Sequence, residues 1–448
     1  LRRLHRALDR LDGIPPAGLT QRPRLERDVL LSTIRADLID LELLRSPWRN
    51  PMFYMFDLAP YVNRDYKPLA ARARSLIALA NASKWYLAEA RENLGPVIPR
   101  PWLETALLQI NGLLEFLGED VKTAMAGLAD KPLVAELAKS LEGMKVALTT
   151  YRESLEGRRA QSTDDFALGK DGFLRMLAET QGVTIDLDRL REIGEADLDR
   201  NLAALAAAAQ AIDPARSTRD VVLAVAEDRP APASILAEAS RQATRLRRFL
   251  TDKEIVSIPT EDTALVRESP PYMRWNGAFL DEAGPFEGKS LPSYYYISPP
   301  DPKWPEAERI RYLPPRADLF FSTVHEVWPG HFLHSLHIKQ GDSQILKSLC
   351  TYSMQEGWAH YAEEMMWDAG VGNGDERLHI GQLKEALLRN VRYLVAIGMH
   401  TGGMTIDEAT KLFEEKALTD PATARQQAVR GTFDPMYLGY TLGKLMIF

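Results

Sequence analysis

The chain has 448 residues, 45% hydrophobic and 26% charged, a composition that excludes disorder and supplies the apolar side chains of a large core. Fifty-five Lys and Arg against 62 Asp and Glu give a net charge of −7 with no basic block, which makes nucleic acid a poor partner. A single cysteine, Cys350, excludes an intrachain disulfide framework and a thiolate-rich metal cluster.

Residues 1–254 read as helix after helix. Leu69–Asn93 carries Leu69, Ala73, Leu76, Ala80 and Leu87 at helical spacing, and Pro96, Pro99 and Pro101 stop it. Trp102–Leu128, Pro132–Glu156 and Leu187–Ile212 repeat the pattern, the last ended by Asp213-Pro214. Near residue 255 the texture changes. Ile255–Ile258, Ala264–Val266, Ala278–Leu280 and Tyr294–Ile297 are short β-prone runs between Pro and Gly, predicting a sheet of three or four strands. Ser298–Pro315 reads as a Pro-rich loop, and helices resume at Leu319. The expectation is therefore a mainly α chain with an N-terminal helical region, 1–254. A small sheet plus a second helical region, 255–448, completes it.

No apolar run reaches the ~18 residues of a spanning helix, so no transmembrane segment is expected. The sequence starts at Leu1 without Met and stops inside apolar Leu445–Phe448, as a piece of a longer protein does. Cytoplasmic and exported locations both stay open, and the oligomeric state is not readable.

Seven of the eight histidines fall between residues 325 and 400. Histidine is the commonest neutral metal ligand, so that crowding marks a region for chemistry. Within it stands His325-Glu326-Val327-Trp328-Pro329-Gly330-His331. Zinc-binding helices of the H-E-x-x-H type place ligands at i and i+4, about 40° apart, with the Glu as general base. Here i+4 is Pro329, and the next histidine, at i+6, lies about 120° around an unbroken helix. Proline removes an N–H and glycine frees the backbone, so a break there brings His331 back toward His325. Further on, Glu356, His360 and Glu363 are spaced i, i+4, i+7 and share one helical face. Two histidines and a glutamate from a second helix make the usual open catalytic zinc set, with Glu363 orienting a ligand from behind.

These residues resemble a known family. The run His-Glu-x-x-Pro-Gly-His, followed by Glu-Gly-Trp-Ala-x-Tyr-x-Glu, is similar to the bacterial domain-of-unknown-function 885 family, a zincin-like group of predicted metallopeptidases. Ile258-Pro259, Ser269–Tyr272, Arg392 through His400, Gly403–Ala409, Arg430, Pro435 and Tyr440–Lys444 extend the likeness, which is strong over 255–448. The chain departs from the family at His334 (usually Gln), at His360 (usually apolar) and at Ala396 (usually acidic). By that resemblance, further helices of the family are expected beyond residue 448. The resemblance implies a large multi-helix, zincin-like fold and a zinc-dependent hydrolase, first of all a metallopeptidase for a peptide or small amide substrate.

The roles that follow are one Zn2+ held by His325, His331 and Glu356, with Glu326 as general base. His400, Tyr440 and Arg392 are candidate donors to the developing oxyanion; about 80° separates Arg392 from His400 on one helix, close enough to line one cleft. Glu363, His360 and His334 are expected behind the ligands, and His5 and His379 on the surface. Tyr294–Tyr296 is either a core strand or an edge for an extended peptide; Arg309, Arg311 and Arg316 are either substrate grips or a solvated loop. Two other classes stay open. One is a metal enzyme that is not a peptidase, such as another amide hydrolase or a lyase. The other is a non-catalytic helical binding protein, which a fourth protein ligand from His360 or His334 would favour.

Overall fold

The computed structural model describes residues 1–287 and 290–448, and it is mainly α with one three-stranded sheet. Numbering the longer helices in chain order, α1 (Arg2–Asp12) and α2 (Gln21–Ile39) precede α3 (Leu69–Asn93), α4 (Arg100–Phe116) and α5 (Lys131–Glu156). Then come α6 (Gly169–Gln181), α7 (Leu187–Ile212), α8 (Thr218–Ala226) and α9 (Ile235–Asp252). The strands β1 (Ala264–Glu268), β2 (Ala278–Asp281) and β3 (Ser293–Ile297) follow. The rest is α10 (Arg316–Glu326), α11 (His331–Gln340), α12 (Tyr352–Asp368), α13 (Glu376–Thr401), α14 (Ile406–Lys416), α15 (Pro421–Phe433) and α16 (Gly439–Ile447).

The helices start where short polar side chains cap them. Asp130 accepts from the Leu133 N–H, Asp186 from Arg189, Thr351 from Met354, and Thr405 forms a reciprocal capping box with Glu408. Each then buries an apolar stripe. α3, α4 and α5 close one core around Leu76, Leu113 and Leu148. A second core joins α7 to α13, α14 and α15 through Leu190, Leu198, Leu387 and Tyr393, so apolar packing crosses residue 255. The third holds the sheet against α9, α10 and α11 through Leu246, Tyr295, Phe321 and Trp328.

In the sheet, β3 is central, parallel to β1 and antiparallel to β2, with Tyr295 opposite Val266 and Leu280. All five β3 residues are buried. The tyrosine run is therefore a core strand, and β1 and β2 are the two edge strands of the sheet.

Three local expectations change. Ile255–Ile258 forms no strand; its apolar residues pack on the α9 core instead, ahead of Pro259. The Trp102–Leu128 stretch divides into α4 and a short helix, Asp120–Ala124, the break falling at Leu117-Gly118, where glycine weakens a helix. The Ser298–Pro315 loop contains a short helix, Glu306–Tyr312. Among the described residues no helix is long and apolar enough to cross a membrane.

Candidate metal centre

α10 ends at Glu326 and α11 begins at His331, so the break falls on Val327–Gly330, at the Pro-Gly pair. The chain turns sharply there. The Gly330 N–H donates to Val324 O at 3.0 Å, and both Val327 and Trp328 N–H groups reach Thr323 O, at 2.9 and 3.3 Å. Gly330 has an ordinary negative φ; it is needed because a Cβ there would sit 1.7 Å from the His325 carbonyl oxygen. The Trp328 ring is buried against Phe332, and the Trp358 indole N–H of α12 donates to Pro329 O at 3.0 Å. α12 is pressed in turn on α16, where Gly357 meets the Gly443 backbone with no room for a Cβ. The break, Glu356 and Tyr440 are thus fixed to one another.

That folding brings the two imidazoles together, with ring centroids 4.7 Å apart and planes at 90°. One ligand atom each from His325, His331 and Glu356 lies within 4.8 Å of the others. Glu356 Oε2 is 3.4 Å from His325 Nε2 and 3.3 Å from His331 Nε2. This oxygen is buried and has no hydrogen-bond partner among the described residues, as expected of an atom meant for a cation. Two imidazole nitrogens and a carboxylate oxygen suit Zn2+. The fit is good.

The members of the cluster also shift one another's titration. Burial alone would lower the His325 pKa, but the Glu356 and Glu363 carboxylates outweigh it and hold it up at about 9. Burial would raise the Glu356 carboxyl, and the His331 and His325 rings drive it well below the usual carboxylate range. Each of these two groups thus favours its charged form against the effect of burial, because the other stands beside it.

Behind it, Glu363 is fully buried and accepts from His325 Nδ1 at 2.7 Å. Its other oxygen lies 3.2 Å from His360 Nδ1, and Arg389 stands 3.3 Å away. Burial opposes its charge, but Arg389 and then His360 keep its carboxyl below the ordinary value. The bond to Nδ1 leaves His325 Nε2 facing the cluster. Glu363 and His360 thus lie behind the cluster. His334 is half-buried near Trp358, its pKa lowered to about 4 chiefly by burial, and it is outside the cluster, as is His360.

Glu326 follows His325 on α10 but points differently. It is 8% exposed, lines the cleft, and makes no hydrogen bond or ion pair among the described residues. The cleft has a volume of about 700 Å³, within the ~300–1,000 Å³ of small-ligand sites. Tyr440 closes one side, its ring 5.9 Å from that of His325 at 23°, its hydroxyl accepting from Arg430 at 3.3 Å. The Arg392 guanidinium lies over the Tyr440 ring, 4.8 Å from its centre.

His400 does not line this cleft. It is buried between Phe166 and Phe173, and its Nε2 meets Gly431 O at 2.8 Å. The ~80° that separates it from Arg392 along α13 carries it into the core. Arg316 is also corrected as a substrate grip: it pairs with Asp228 at 2.9 Å and Glu238 at 2.7 Å. His5 is exposed and meets Glu42, while His379 is only half-exposed, stacked on Trp367 at 4.0 Å. Three groups at the site escape sequence reading. Arg389 is one, and its spacing of four from Glu385 and three from Arg392 is the available signal. Glu282 is cleft-lining with its carboxyl pushed up by burial, and Gln427 carries no sequence signal at all.

Fold and site together define a mainly helical protein with a two-histidine, one-glutamate cluster in the wall of a deep cleft. The chain belongs to the family described as "Bacterial protein of unknown function (DUF885)", whose model matches residues 1–448, so the first 254 residues are part of it too. No curated protein matches. Among solved structures the chain is similar to "a putative lipoprotein of unknown function" from Shewanella oneidensis, at 22% identity and a TM-score of 0.75, over 99% of this chain and 84% of that one. It is also similar to a "putative lipoprotein" from Colwellia psychrerythraea, at 15% identity and a TM-score of 0.71, over 84% of this chain and 69% of that one. At such identities the likeness is one of fold.

Proposed function

We propose that the protein is a zinc-dependent hydrolase, a metallopeptidase that cleaves peptide or related amide bonds with water. The observation that carries this reading is the convergence of His325, His331 and Glu356 at a cleft where Glu326 has no partner of its own. His325 Nε2, a His331 ring nitrogen and Glu356 would hold one Zn2+, which when bound acidifies water and polarises a carbonyl. Neither His334 nor His360 joins them, which supports an open coordination position rather than a closed structural site.

The chain's own groups divide the remaining work. Glu326, uncommitted to any hydrogen bond, takes a proton from the attacking water and passes it to the leaving amine. The Tyr440 hydroxyl accepts from Arg430, so its own proton is free to donate to the oxygen on which negative charge develops. Glu363 keeps His325 in the tautomer and orientation that binding requires.

The test is zinc analysis joined to turnover. The purified chain should bind about one zinc, and Glu326→Gln should keep it while losing at least ~100-fold in peptide hydrolysis, the scale of a lost general base. A Gln variant as active as the parent would overturn the assignment of the base, and a metal-loaded parent that cleaves no peptide or amide would overturn the hydrolase.

A further inference from the structure

The cationic side chains of the α13–α15 wall are almost all neutralised. Lys384 is held by Asp318 at 2.5 Å, Arg389 by Glu385 and Glu363, and Arg430 by Asp434 at 2.9 Å. Arg392 is the exception. It is 7% exposed, lines the cleft, and among the described residues forms no ion pair. Its Nε–H donates to Gln427 Oε1 at 2.8 Å, and its guanidinium sits over the Tyr440 ring. Neither terminal nitrogen has a protein acceptor among the described residues.

A buried guanidinium without a counter-charge is unfavourable, the more so with Arg430 and Arg389 close by. Burial lowers its pKa, Tyr440 counters that in part, and the two neighbouring arginines lower it further. Its placement makes sense if a ligand brings the missing anion. The planar fork of free N–H groups matches a carboxylate with two parallel bonds. Gln427 adds a further donor: its oxygen is turned to Arg392, so its amide N–H groups are left for the cleft. The Arg392 guanidinium is 4.8 Å from the centre of the Tyr440 ring, that ring is 5.9 Å from the His325 ring, and all three line one cleft, so an anion bound here shares the cleft with the ligand cluster.

Resting on the hydrolase reading, we propose that Arg392 and Gln427 form a carboxylate-binding subsite. It makes the protein an exopeptidase that grips the free C-terminal carboxylate of a short peptide. Hydroxyl from water adds to the acyl carbon, the C–N bond breaks, and the released C-terminal fragment leaves with the proton on its amine. Arg392 is thus a substrate anchor, and oxyanion donation rests with Tyr440.

The experiment measures binding, apart from turnover, by calorimetry on zinc-loaded Glu326→Gln. The probes are the tetrapeptide Ala-Ala-Phe-Ala as free acid, the same peptide as C-terminal amide, and Ala-Ala-Phe-Glu as C-terminal amide. The free acid should bind roughly 10- to 100-fold more tightly than its amide, the scale of a charge-assisted pair. Adding Arg392→Gln should shrink that preference to about twofold or less, and Arg392→Lys should restore part of it. Equal binding of acid and amide, binding of neither, or a preference that survives Arg392→Gln overturns the subsite. If the amidated glutamyl peptide binds as well as the free acid, the subsite reads a side-chain carboxylate and the exopeptidase assignment falls. Failure of the hydrolase reading looks different: the parent cleaves none of the peptides while the acid is still preferred over the amide.

Discussion

His325 and His400 show how two histidines on neighbouring helices are put to opposite use. His325, 3% exposed, is surrounded by carboxylates that pull its pKa up, whereas His400 lies among phenylalanines that exclude charge. Burial lowers the His400 pKa to about 4 from 6.5, only partly offset by the Gly431 carbonyl. Between those values the unfolded chain binds a proton that the folded chain refuses. Stability from this ring is full above pH 6.5 and is lost as pH falls toward 4. His400→Gln is expected to flatten that acid loss by one proton, about 1.4 kcal/mol per pH unit, in urea titrations of the metal-free protein. An unchanged slope would contradict the assignment. His325, His331, Glu326, Glu356 and Glu363 are legible in sequence because ligand chemistry restricts residue type and spacing together. His400 and Gln427 are not, because helical spacing gives an angle but not the neighbour that fills it.

The break between α10 and α11 is the element on which the cluster depends. Proline and glycine announce an interruption in the sequence; the direction of the turn comes from Thr323 and Val324 carbonyls and from the Trp358 indole, which spacing does not reveal. Gly330→Ala would set a methyl against the His325 carbonyl, 1.7 Å from its oxygen, so the loop must open. The expected result is a loss of about 1–3 kcal/mol of stability together with at least tenfold weaker zinc binding. A variant that binds zinc as the parent does would show that the turn does not position His331. The strands show the same limit: β-prone runs announce β1, β2 and β3, but their order, with the tyrosine strand at the centre, comes from burial on both faces. Ile255–Ile258 has the same composition and no strand to pair with.

At the scale of the whole molecule, the half that carries the His-Glu cluster leans on the first half. Tyr393 of α13 donates to Leu190 O of α7 at 2.8 Å, and Asn390 and Asn201 bond to each other and to Asp197. Lys444 of α16, fully buried, meets Asp197 at 3.1 Å and Glu364 of α12 at 3.2 Å. Removing residues 1–254 would leave Lys444 without Asp197 and expose the apolar face of α13. Residues 255–448 produced alone are therefore expected to lack a cooperative melting transition; a sharp melt with retained zinc would contradict this. A mainly α chain with a small sheet can be read from periodicity, but these long-range partners cannot, since nothing local in α7 names α13. The central claim is that three side chains share one cation and leave room for water. Anomalous diffraction at the zinc edge, from crystals of the zinc-loaded protein, tests it most directly. One peak about 2.0–2.2 Å from His325, His331 and Glu356, with no other protein ligand, is the expected result. A peak elsewhere, or a fourth side chain closing the site, would contradict the account.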